Sequence, residues 1–196
     1  MKLSADGYGL IAIDTADPAN TDLAAFSCNR KNLDDFLVRN ALTFHTDRLG
    51  FTSLVFHKDI DGLVGYFTLS NDALNLETSE KFEFGINDDI LIGAFPAIKI
   101  GKFAVRANLQ NSGVGMAIMN LLVGGCLDSK GLSFARLLVT DAVNEERVVR
   151  FYERCGFQKS LWAEKRHRNH SPKQHRQQPE TIKMYMDVFA WVKRQS

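Results

Sequence analysis

One stretch, from Ala97 to Asn120, limits what this chain can fold into more than any other part of the sequence. It reads AIKIGKFAVRANLQNSGVGMAIMN: a β-rich apolar run, a polar turn, and then an apolar pattern of helical spacing that opens at Gly113. The first N–H groups of a helix have no partner within the helix, and the helix dipole places partial positive charge there. Glycine at 113 and 115 lets an anion approach this backbone closely. The stretch therefore predicts a strand, a turn and a helix that bind a phosphate through peptide N–H groups.

Three known phosphate-binding turns can be compared with this stretch by their spacing. The P-loop is excluded because no Gly-Lys-Ser/Thr follows the turn. The dinucleotide-binding turn is excluded because the third glycine is missing. The pattern Gln/Arg-x-x-Gly-x-Gly/Ala remains, and Gln110, Gly113 and Gly115 satisfy it. This turn resembles the acetyl-CoA pyrophosphate loop of the GNAT superfamily of N-acetyltransferases. A glycine-containing turn without a ligand is the alternative if the loop is taken alone.

A second motif follows in the order that this resemblance requires. Residues 141–157 read DAVNEERVVRFYERCGF. They resemble the family's later block, which consists of a strand end, an asparagine, and a short helix that closes in Phe-Tyr-Glu-x-x-Gly-Phe. Two ordered motifs are much harder to obtain by chance than one, and the resemblance extends over about residues 23–188.

The resemblance implies a fold class. We expect an α/β chain with a mixed, α+β arrangement: a central, mostly antiparallel sheet of six or seven strands that part at the acetyl-CoA site, flanked by about four helices. A length of 196 residues with 45% hydrophobic residues suffices for one large core. We therefore predict a single domain over residues 1–196, with a basic insert or loop at about 163–180 before the last strand.

Apolar periodicity and turn residues place the elements along the chain. We expect strands over residues 8–13, 51–58, 63–70, 98–105, 134–140 and 181–188, with the second and third joined as a hairpin by the turn at 59–62. Helices are expected from Asn32, as an N-cap, to a stop at Gly50, over residues 113–130 with a stop at Gly131, and after Asn144 as an N-cap. Residues 71–95 lose clear periodicity and are predicted to be mixed loop with at most a short strand.

The resemblance also implies which residues would hold the coenzyme. The pyrophosphate would bind the loop formed by Gln110, Asn111, Ser112, Gly113, Val114, Gly115 and Met116. The pantetheine arm would pair with the backbone of Phe103, Ala104 and Val105 and would contact the side chain of Asn144. The Val105 N–H would polarise the thioester carbonyl, which requires that strand pairing be broken beside Val105.

Tyr152 is the candidate general acid by the same resemblance. A phenol has an ordinary pKa of about 10, so it is protonated at neutral pH and can give its proton to a departing thiolate. The alternative is a core aromatic ring with a hydrogen-bonded hydroxyl. Asn144 lies eight residues before Tyr152, one more than the usual family spacing, so capping the helix is its alternative role.

A general base is missing from the expected place. Many members of the family use a glutamate on the strand that leads to the pyrophosphate loop, but this strand carries Lys99 and Lys102 and no acid. A water chain would have to replace it, or an acceptor amine of lowered pKa. An α-amino group, with a pKa of about 7.7–8.0, needs far less help than a lysine.

Charge is unevenly distributed along a chain whose net charge is +1. Residues 165–176 carry five Lys or Arg and no acid, and His167, His170 and His175 lie among them without the spacing of a metal-ligand set, so we expect no metal site. Clustered cations can contact the phosphates of nucleic acid, but the segment has no aromatic residue for base stacking. A solvated loop is the favoured interpretation, with nucleic-acid contact as the alternative.

Cysteine usage and hydropathy indicate the cellular class. Cys28, Cys126 and Cys155 are an odd number without metal-ligand spacing, which is typical of a reduced, cytoplasmic protein. The longest mostly apolar stretch, residues 116–127, is too short to cross a bilayer, so no membrane association is expected.

Three functions remain open from the sequence. The first is an acetyl-CoA-dependent N-acetyltransferase that acts on a primary amine by direct attack in a ternary complex. The second is a toxin-type acetyltransferase that modifies the amino group of aminoacyl-tRNA, because FSCNRKNLDDFL, LVGYFTLS and IGKFAV resemble that branch, although Asn29 and Lys102 depart from its pattern. The third is a non-catalytic acyl-CoA-binding module. Candidate partners are tRNA, an antitoxin protein and a second copy of the chain, and the sequence does not identify the acceptor.

Overall fold

The structure is a computed structural model and describes residues 3–17, 21–85, 92–128, 135–170 and 178–195. The strands in this part of the chain are β1 (Tyr8–Ala12), β2 (Phe51–His57), β3 (Ile60–Leu74), β4 (Phe95–Val105), β5 (Leu137–Val143), β6 (Gln158–Lys159) and β7 (Thr181–Asp187). The helices are α1 (Lys31–Arg39), α2 (Ala41–Thr46), α3 (Thr78–Glu83), α4 (Val114–Asp128), α5 (Glu146–Arg154), α6 (Leu161–His170) and α7 (Val188–Gln195).

The strands form one mixed sheet in the order β1-β2-β3-β4-β5-β7-β6. The pairs β1–β2, β2–β3, β5–β7 and β6–β7 are antiparallel, whereas β4 and β5 are parallel. The predicted mostly antiparallel sheet of six or seven strands is therefore confirmed. The described part of the chain has more helices than the expected four, because α3, α6 and α7 lie where the sequence pattern predicts none.

Chain contacts divide the molecule into two compact units. The first comprises Met1–Ser70 and Ile100–Asp128, and the second comprises Asn71–Lys99 and Ser129–Ser196. The single domain inferred from length stays a prediction.

The first unit is built on the β2–β3 hairpin and on α1. Its buried core residues are Ile13, Phe26, Cys28, Phe36, Leu37, Ala41, Leu54, Leu63, Tyr66 and Ala104. The fully buried Tyr66 donates its hydroxyl hydrogen bond to the carbonyl oxygen of Leu33, at 2.8 Å, and so joins the sheet to α1. A Cβ on Gly65 would lie 2.6 Å from the carbonyl oxygen of Ala104, so only glycine fits where β3 passes the end of β4. The hairpin turns at Lys58 and Asp59, a tighter connection than predicted.

The second unit is built around β5, whose residues 137–140 are all buried. Its apolar core consists of Leu74, Leu76, Phe95, Ala97, Leu137, Val139 and Tyr185. Arg136 precedes β5 and forms an ion pair of 2.7 Å with Asp187 at the end of β7. Strand β5 begins and ends three residues later than predicted, and Phe134 and Gly131 lie outside the described residues.

Two predicted helix caps are wrong. Helix α1 begins after Arg30, whose carbonyl oxygen accepts hydrogen bonds from the N–H groups of Leu33 and Asp34, so Asn32 lies within the first turn. Helix α5 begins after Glu145 rather than after Asn144. The helix predicted to run to Gly50 is interrupted at Asn40 and ends at Thr46.

The basic insert was also misjudged from its composition. Residues 161–170 form α6 instead of a loop, while residues 171–177 lie outside the described part of the chain. The reason is Glu80, a carboxylate with 1% exposure whose two oxygens accept hydrogen bonds from the N–H groups of Leu161 and Glu77, at 2.8 and 2.7 Å. This partner of the first turn of α6 lies 81 residues away in the chain, so local composition could not indicate it.

Helices that could cross a membrane, by length and hydropathy together, do not occur among the residues that the structure describes.

Candidate active site

The predicted phosphate loop follows β4 in the first unit and is tied to its surroundings by side chains of its own. A short 3-10 turn, Ala107–Leu109, leads from the strand into the loop. Gln110 then donates hydrogen bonds from Nε2 to the carbonyl oxygens of Val105, at 3.0 Å, and Cys28, at 2.9 Å. Ser112 donates from its hydroxyl to the carbonyl oxygen of Leu109, at 2.6 Å. The glutamine of the motif thus fixes the loop against the strand end.

The tip of this loop is exposed to solvent and contains two residues in the left-handed region of backbone conformation. Asn111 and Gly113 are exposed and have positive φ angles of 60° and 92°. A Cβ at Gly113 would meet no atom within 4 Å, so glycine is needed there for conformation, and the space above it is free of other described atoms. The first helical bond of α4 runs from the Ala117 N–H to the Gly113 carbonyl oxygen, at 3.1 Å. The N–H groups of Val114 and Gly115 precede it, so the helix supplies no partner for them.

The segment around Cys28 supports the loop from the side of α1. Asp34 accepts hydrogen bonds from the Ser27 hydroxyl, at 2.8 Å, and the Cys28 N–H, at 2.9 Å. The Ser27 carbonyl oxygen in turn accepts from the Ala107 N–H, at 2.8 Å. Asp34 therefore positions two carbonyl groups that hold the phosphate loop. Sequence analysis did not identify Asp34 as part of this site.

The end of β4 carries the residues predicted to pair with the pantetheine arm. Ala104 is buried, whereas Phe103 and Val105 are half-buried. Arg106 follows them and donates from Nε to the carbonyl oxygen of Leu63, at 2.6 Å, and from its guanidinium to that of Asp61, at 2.8 Å. Arg106 thus fastens the strand end to β3. Its role was missed because its partners are backbone carbonyls, which leave no sequence signal.

The parallel ladder of β4 is short. It pairs residues Ala97–Lys99 with Leu137–Val139, and it ends at Lys99 although β4 continues to Val105. An early end of the ladder agrees with the predicted break in strand pairing.

Tyr152 lies on α5 in the second unit and is 7% exposed. Its ring packs edge-to-face against Phe151 and Phe157, with centroid distances of 5.3 Å in both cases. Burial raises the pKa of the phenol to about 12, although a hydrogen bond with the Thr140 side chain opposes the shift. The hydroxyl therefore keeps its proton throughout the physiological pH range, as a proton or hydrogen-bond donor requires.

Asn144 is held by the segment that precedes β7. Its side-chain Nδ2 donates to the carbonyl oxygen of Pro179, at 2.9 Å, and its backbone N–H donates to that of Glu180, at 2.9 Å. The amide hydrogens are thus partly occupied by the protein. These hydrogen bonds give Asn144 a structural role. It differs from both predicted roles, which were capping the helix and contacting the pantetheine arm.

Strand β4 contains no acidic residue, but an aspartate of the neighbouring strand β5 lies next to Lys99. Asp141 of β5 forms an ion pair of 2.5 Å with Lys99 and one of 3.4 Å with Lys183 of β7, and Lys183 also lies 3.5 Å from Asp72. Partial burial works to raise the pKa of Asp141, but the hydrogen bond from Lys99 and the charge of Lys183 outweigh it, so the pKa lies below its ordinary value. Asp141 is therefore a poor proton acceptor in this state.

Metal binding has no support in the described residues, where no three His, Cys, Asp or Glu side chains lie close enough together to hold an ion. His175, the third histidine of the basic segment, lies outside the described residues.

Comparison with known proteins gives one family and several structures of similar fold. Residues 21–157 match the Acetyltransferase (GNAT) family. A mutant of KacT is similar with a TM-score of 0.69 at 18% identity, over 96% of this chain and 99% of that one. AtaT complexed with acetyl-methionyl-tRNAfMet has a TM-score of 0.68 at 17% identity, over 96% and 99% of the two chains. AtaTR bound with AcCoA has a TM-score of 0.63 at 17% identity, over 97% and 99%. No curated protein matches the chain.

Proposed function

The chain belongs to the GNAT family of acetyltransferases, and from this premise we propose that it transfers the acetyl group of acetyl-CoA to a primary amine by direct attack in a ternary complex. The donor is acetyl-CoA, as in the family, and the enzyme class is that of the N-acetyltransferases. A non-catalytic coenzyme-binding module is no longer needed as an explanation. The single observation that carries the proposal is the solvent-open turn at Asn111–Gly113, which leads directly into α4.

This turn supports pyrophosphate binding for electrostatic reasons. N–H groups at the start of a helix bear partial positive charge, and a phosphate placed there needs no lysine. The positive φ at Gly113 and the open space above it allow close approach of an anion. We assign the loop from Gln110 to Met116 to the pyrophosphate. Within it Gln110 fixes the turn, and the N–H groups at residues 113–116 bind oxygen atoms.

The chemical step follows from the groups assigned to the thioester. The amine nitrogen attacks the carbonyl carbon, the C–S bond breaks, an amide forms, and the sulfur leaves as a thiolate that must be neutralised. We assign the Val105 N–H to the developing oxyanion. We assign Tyr152 to the thiolate, to which its hydroxyl donates a hydrogen bond and then a proton.

Proton removal from the amine has no obvious side-chain acceptor in the described residues. Asp141 is the acid that the structure adds near Lys99, but its lowered pKa suits it to an ion pair rather than to base catalysis. Two alternatives meet this need. An α-amine acceptor has a pKa of about 7.7–8.0, so it loses its proton readily near neutral pH. The other alternative is a water chain that carries the proton to solvent.

Two glycine-to-alanine substitutions, one in the loop and one within α4, test coenzyme binding. Gly113→Ala should weaken acetyl-CoA binding at least tenfold in calorimetry, since alanine is strained at a φ of 92° and its Cβ enters the space assigned to the pyrophosphate. Gly124→Ala within α4 is the matched control, because it adds the same methyl group where no atom lies within 4 Å, and it should leave the affinity unchanged. No binding of acetyl-CoA by the unmodified chain would refute the proposed function.

A toxin-type enzyme acting on aminoacyl-tRNA is the second candidate. Three stretches of sequence resemble that branch, and the similar structures include AtaT complexed with acetyl-methionyl-tRNAfMet and a mutant AtaT toxin bound to the C-terminus of the antitoxin AtaR and acetyl-CoA. Candidate partners under this function are tRNA, an antitoxin and a second copy of the chain. Incubation with labelled acetyl-CoA and separate pools of aminoacyl-tRNA, polyamines and protein would identify the acceptor, and labelling of polyamines or protein alone would exclude this candidate.

A further inference from the structure

The second unit contains a small cavity bounded by the ends of α3 and α5, by β7 and by the first turn of α7. Its volume is about 190 Å³, and none of the residues assigned to acetyl transfer lines it. Pockets that enclose a whole drug-sized molecule usually measure about 300–1,000 Å³. The size of this cavity therefore suits one small group, such as the end of a single side chain.

Three aromatic side chains from three different elements line this cavity. Phe84 follows α3, Tyr185 lies on β7, and Trp191 belongs to α7. The rings of Phe84 and Tyr185 pack edge-to-face, with a centroid distance of 5.6 Å. Tyr185 is buried, whereas Phe84 and Trp191 are half-buried. The faces of aromatic rings carry partial negative charge and attract cations, so the lining favours a positively charged ligand.

Glu83 adds a full negative charge to the lining. It is exposed at the end of α3, and it has no hydrogen-bond or ion-pair partner among the residues that the structure describes. Burial chiefly, and then the nearby carboxylates of Glu80 and Glu83, raise the pKa of the Tyr185 phenol. The Glu83 carboxylate therefore lies close enough to Tyr185 for its charge to act within the cavity.

The second acid in the lining, Asp187, already has its counter-charge. Arg136 donates to both of its carboxylate oxygens, from Nε at 3.1 Å and from the guanidinium at 2.7 Å. The same guanidinium lies 5.6 Å from the centroid of the Phe84 ring, so a cation already contacts one ring of the lining. Since the charges of Asp187 and Arg136 cancel, Glu83 sets the net charge that a ligand would meet.

Two helices end at the cavity and favour the same sign of ligand charge. Helix α3 ends at Glu83, and Gly156, which also lines the cavity, follows the last turn of α5. The C-terminal end of a helix carries partial negative charge and attracts cations. Helix α7 begins here with the opposite polarity, but Asp187 accepts a hydrogen bond from the Phe189 N–H, at 3.0 Å, and so offsets it.

We propose that this cavity binds an alkylammonium group, with its nitrogen at Glu83 and its carbon chain against the three aromatic rings. Gln158, which also lines the cavity, donates from Nε2 to the Tyr185 hydroxyl at 2.5 Å, and its amide oxygen is left as an acceptor for an ammonium hydrogen. An anion would be repelled by Glu83. A neutral apolar group would fill the space without using the carboxylate or the amide oxygen.

The position of the cavity in the sheet separates it from the proposed general acid. Tyr185 pairs directly with Val139 of β5, and the next residue, Thr140, bonds the side chain of Tyr152. Directly paired residues share a face of the sheet and successive residues alternate between faces, so Tyr185 and Thr140 lie on opposite faces. The inference therefore goes beyond the proposed function and adds a second binding site. An alkylammonium group has two sources, a free amine or a lysine side chain of another protein.

The test uses n-butylamine, which reproduces the lysine side chain and is protonated at pH 7. In Trp162→Phe protein, which keeps Trp191 as its remaining tryptophan, n-butylamine should change the fluorescence in a saturable way. The neutral 1-butanol, with the same carbon chain, should bind at least tenfold more weakly. The peptide N-acetyl-Gly-Lys-Gly-amide distinguishes the sources: tighter binding than that of n-butylamine indicates a protein lysine, and weaker binding indicates a free amine.

Three variants test the assigned contacts by ligand-observed NMR titration with n-butylamine. Glu83→Gln removes the charge at nearly constant size and should weaken binding at least fivefold. Trp191→Leu removes an aromatic ring and should weaken it at least threefold. Glu153→Gln is the matched control, because it removes the same charge from an exposed residue of α5 outside the cavity lining, and it should change the affinity less than twofold.

Four results would overturn this site. The first three are no saturable binding of n-butylamine or the peptide, equal affinity for 1-butanol, and equal losses in Glu83→Gln and Glu153→Gln. The fourth is acetylation of n-butylamine with a KM that Glu83→Gln raises at least fivefold, which would make the cavity the acceptor site of the transferase. Acetyl-CoA affinity should be the same in Glu83→Gln and the unmodified chain. If the unmodified chain bound n-butylamine but not acetyl-CoA, only the proposed function would be contradicted.

Discussion

At the scale of the residue, Tyr152 combines features of a core side chain and of a proton donor. Its ring is packed between Phe151 and Phe157, and its hydroxyl is bonded to Thr140. A phenol with a pKa of about 12 is a weaker acid than a thiol with a pKa of about 8.5, so transfer of the phenol proton to the free thiolate is uphill by itself and is completed as solvent returns a proton to Tyr152. The donated hydrogen bond is therefore most useful as negative charge develops on the sulfur.

Tyr152→Phe tests this role. The substitution keeps the ring and its packing but removes the donor, so kcat should fall by about 100-fold or more while the affinity for acetyl-CoA stays within a factor of two. Steady-state kinetics with the identified acceptor, together with calorimetry, measure both quantities.

The control is Thr140→Val, which removes the hydroxyl partner and leaves the phenol in place. It should reduce kcat by less than tenfold, since the donor remains. If Tyr152→Phe lowers the unfolding midpoint but leaves kcat unchanged, Tyr152 is a core residue only and the proposed general acid is wrong.

The residues that sequence analysis found and those that it missed differ in what they bind. The turn that contains Gln110 and Gly113 could be predicted because its residues lie within one local stretch of sequence, whereas their contact with the coenzyme stays a prediction. Arg106 and Asp34 could not, because they bind the backbone groups of Leu63, Asp61 and Cys28, and any sequence supplies such groups. Asn144 could be placed at the end of β5, but its side chain binds a carbonyl 35 residues away rather than the helix that follows.

At the scale of the element, the contact between α1 and the phosphate loop has a consequence for coenzyme affinity. Asp34→Ala removes the acceptor that orders Ser27 and Cys28, whose carbonyl groups hold Ala107 and Gln110. A less ordered loop must be fixed when the ligand binds, so the Kd for acetyl-CoA should rise about five- to tenfold. Calorimetry with acetyl-CoA measures the change.

Asp35→Ala is the matched control for the contacts that Asp34 makes with Ser27 and Cys28. Asp35 carries the same charge in the next position of α1, but it pairs with Lys31 of its own helix instead of with the segment at residues 27–28. The affinity should change less than twofold. If both variants lost the same acetyl-CoA affinity, the charge of α1, and not the contacts of Asp34 with residues 27–28, would set that affinity.

Elements were predictable where their partners are local or periodic. The β2–β3 hairpin and β4 were predicted from apolar runs and a turn, since strands of this kind bury the same face along their length. Helix α6 was not, because its sequence is polar after Ala163 and its first turn depends on Glu80 from a distant segment.

At the scale of the whole molecule, paired carboxylates set how stability depends on pH. Asp141 is paired with both Lys99 and Lys183, and its side chain is 33% exposed. Its pKa is lower in the folded chain than the ordinary value of about 3.9 that applies when the chain is unfolded. The ionised form is thus favoured by folding, so the stabilisation is fully present above about pH 4 and is lost as the pH falls through the folded-state pKa.

Asp141→Asn should therefore lower stability in a pH-dependent way. At pH 7 the free energy of unfolding should fall by about 1 kcal/mol, a modest value because water screens a partly exposed pair. As the pH falls through the folded-state pKa of Asp141, the difference from the unmodified chain should shrink, because the protonated carboxyl no longer carries the charge that attracts Lys99 and Lys183. Urea unfolding at pH 7, 5 and 2.5 measures it, with Asp47→Asn, an exposed position at the end of α2, as the control. A loss for Asp141→Asn that is equal at all three pH values would mean that packing or hydrogen bonding, and not charge, is what Asp141 contributes.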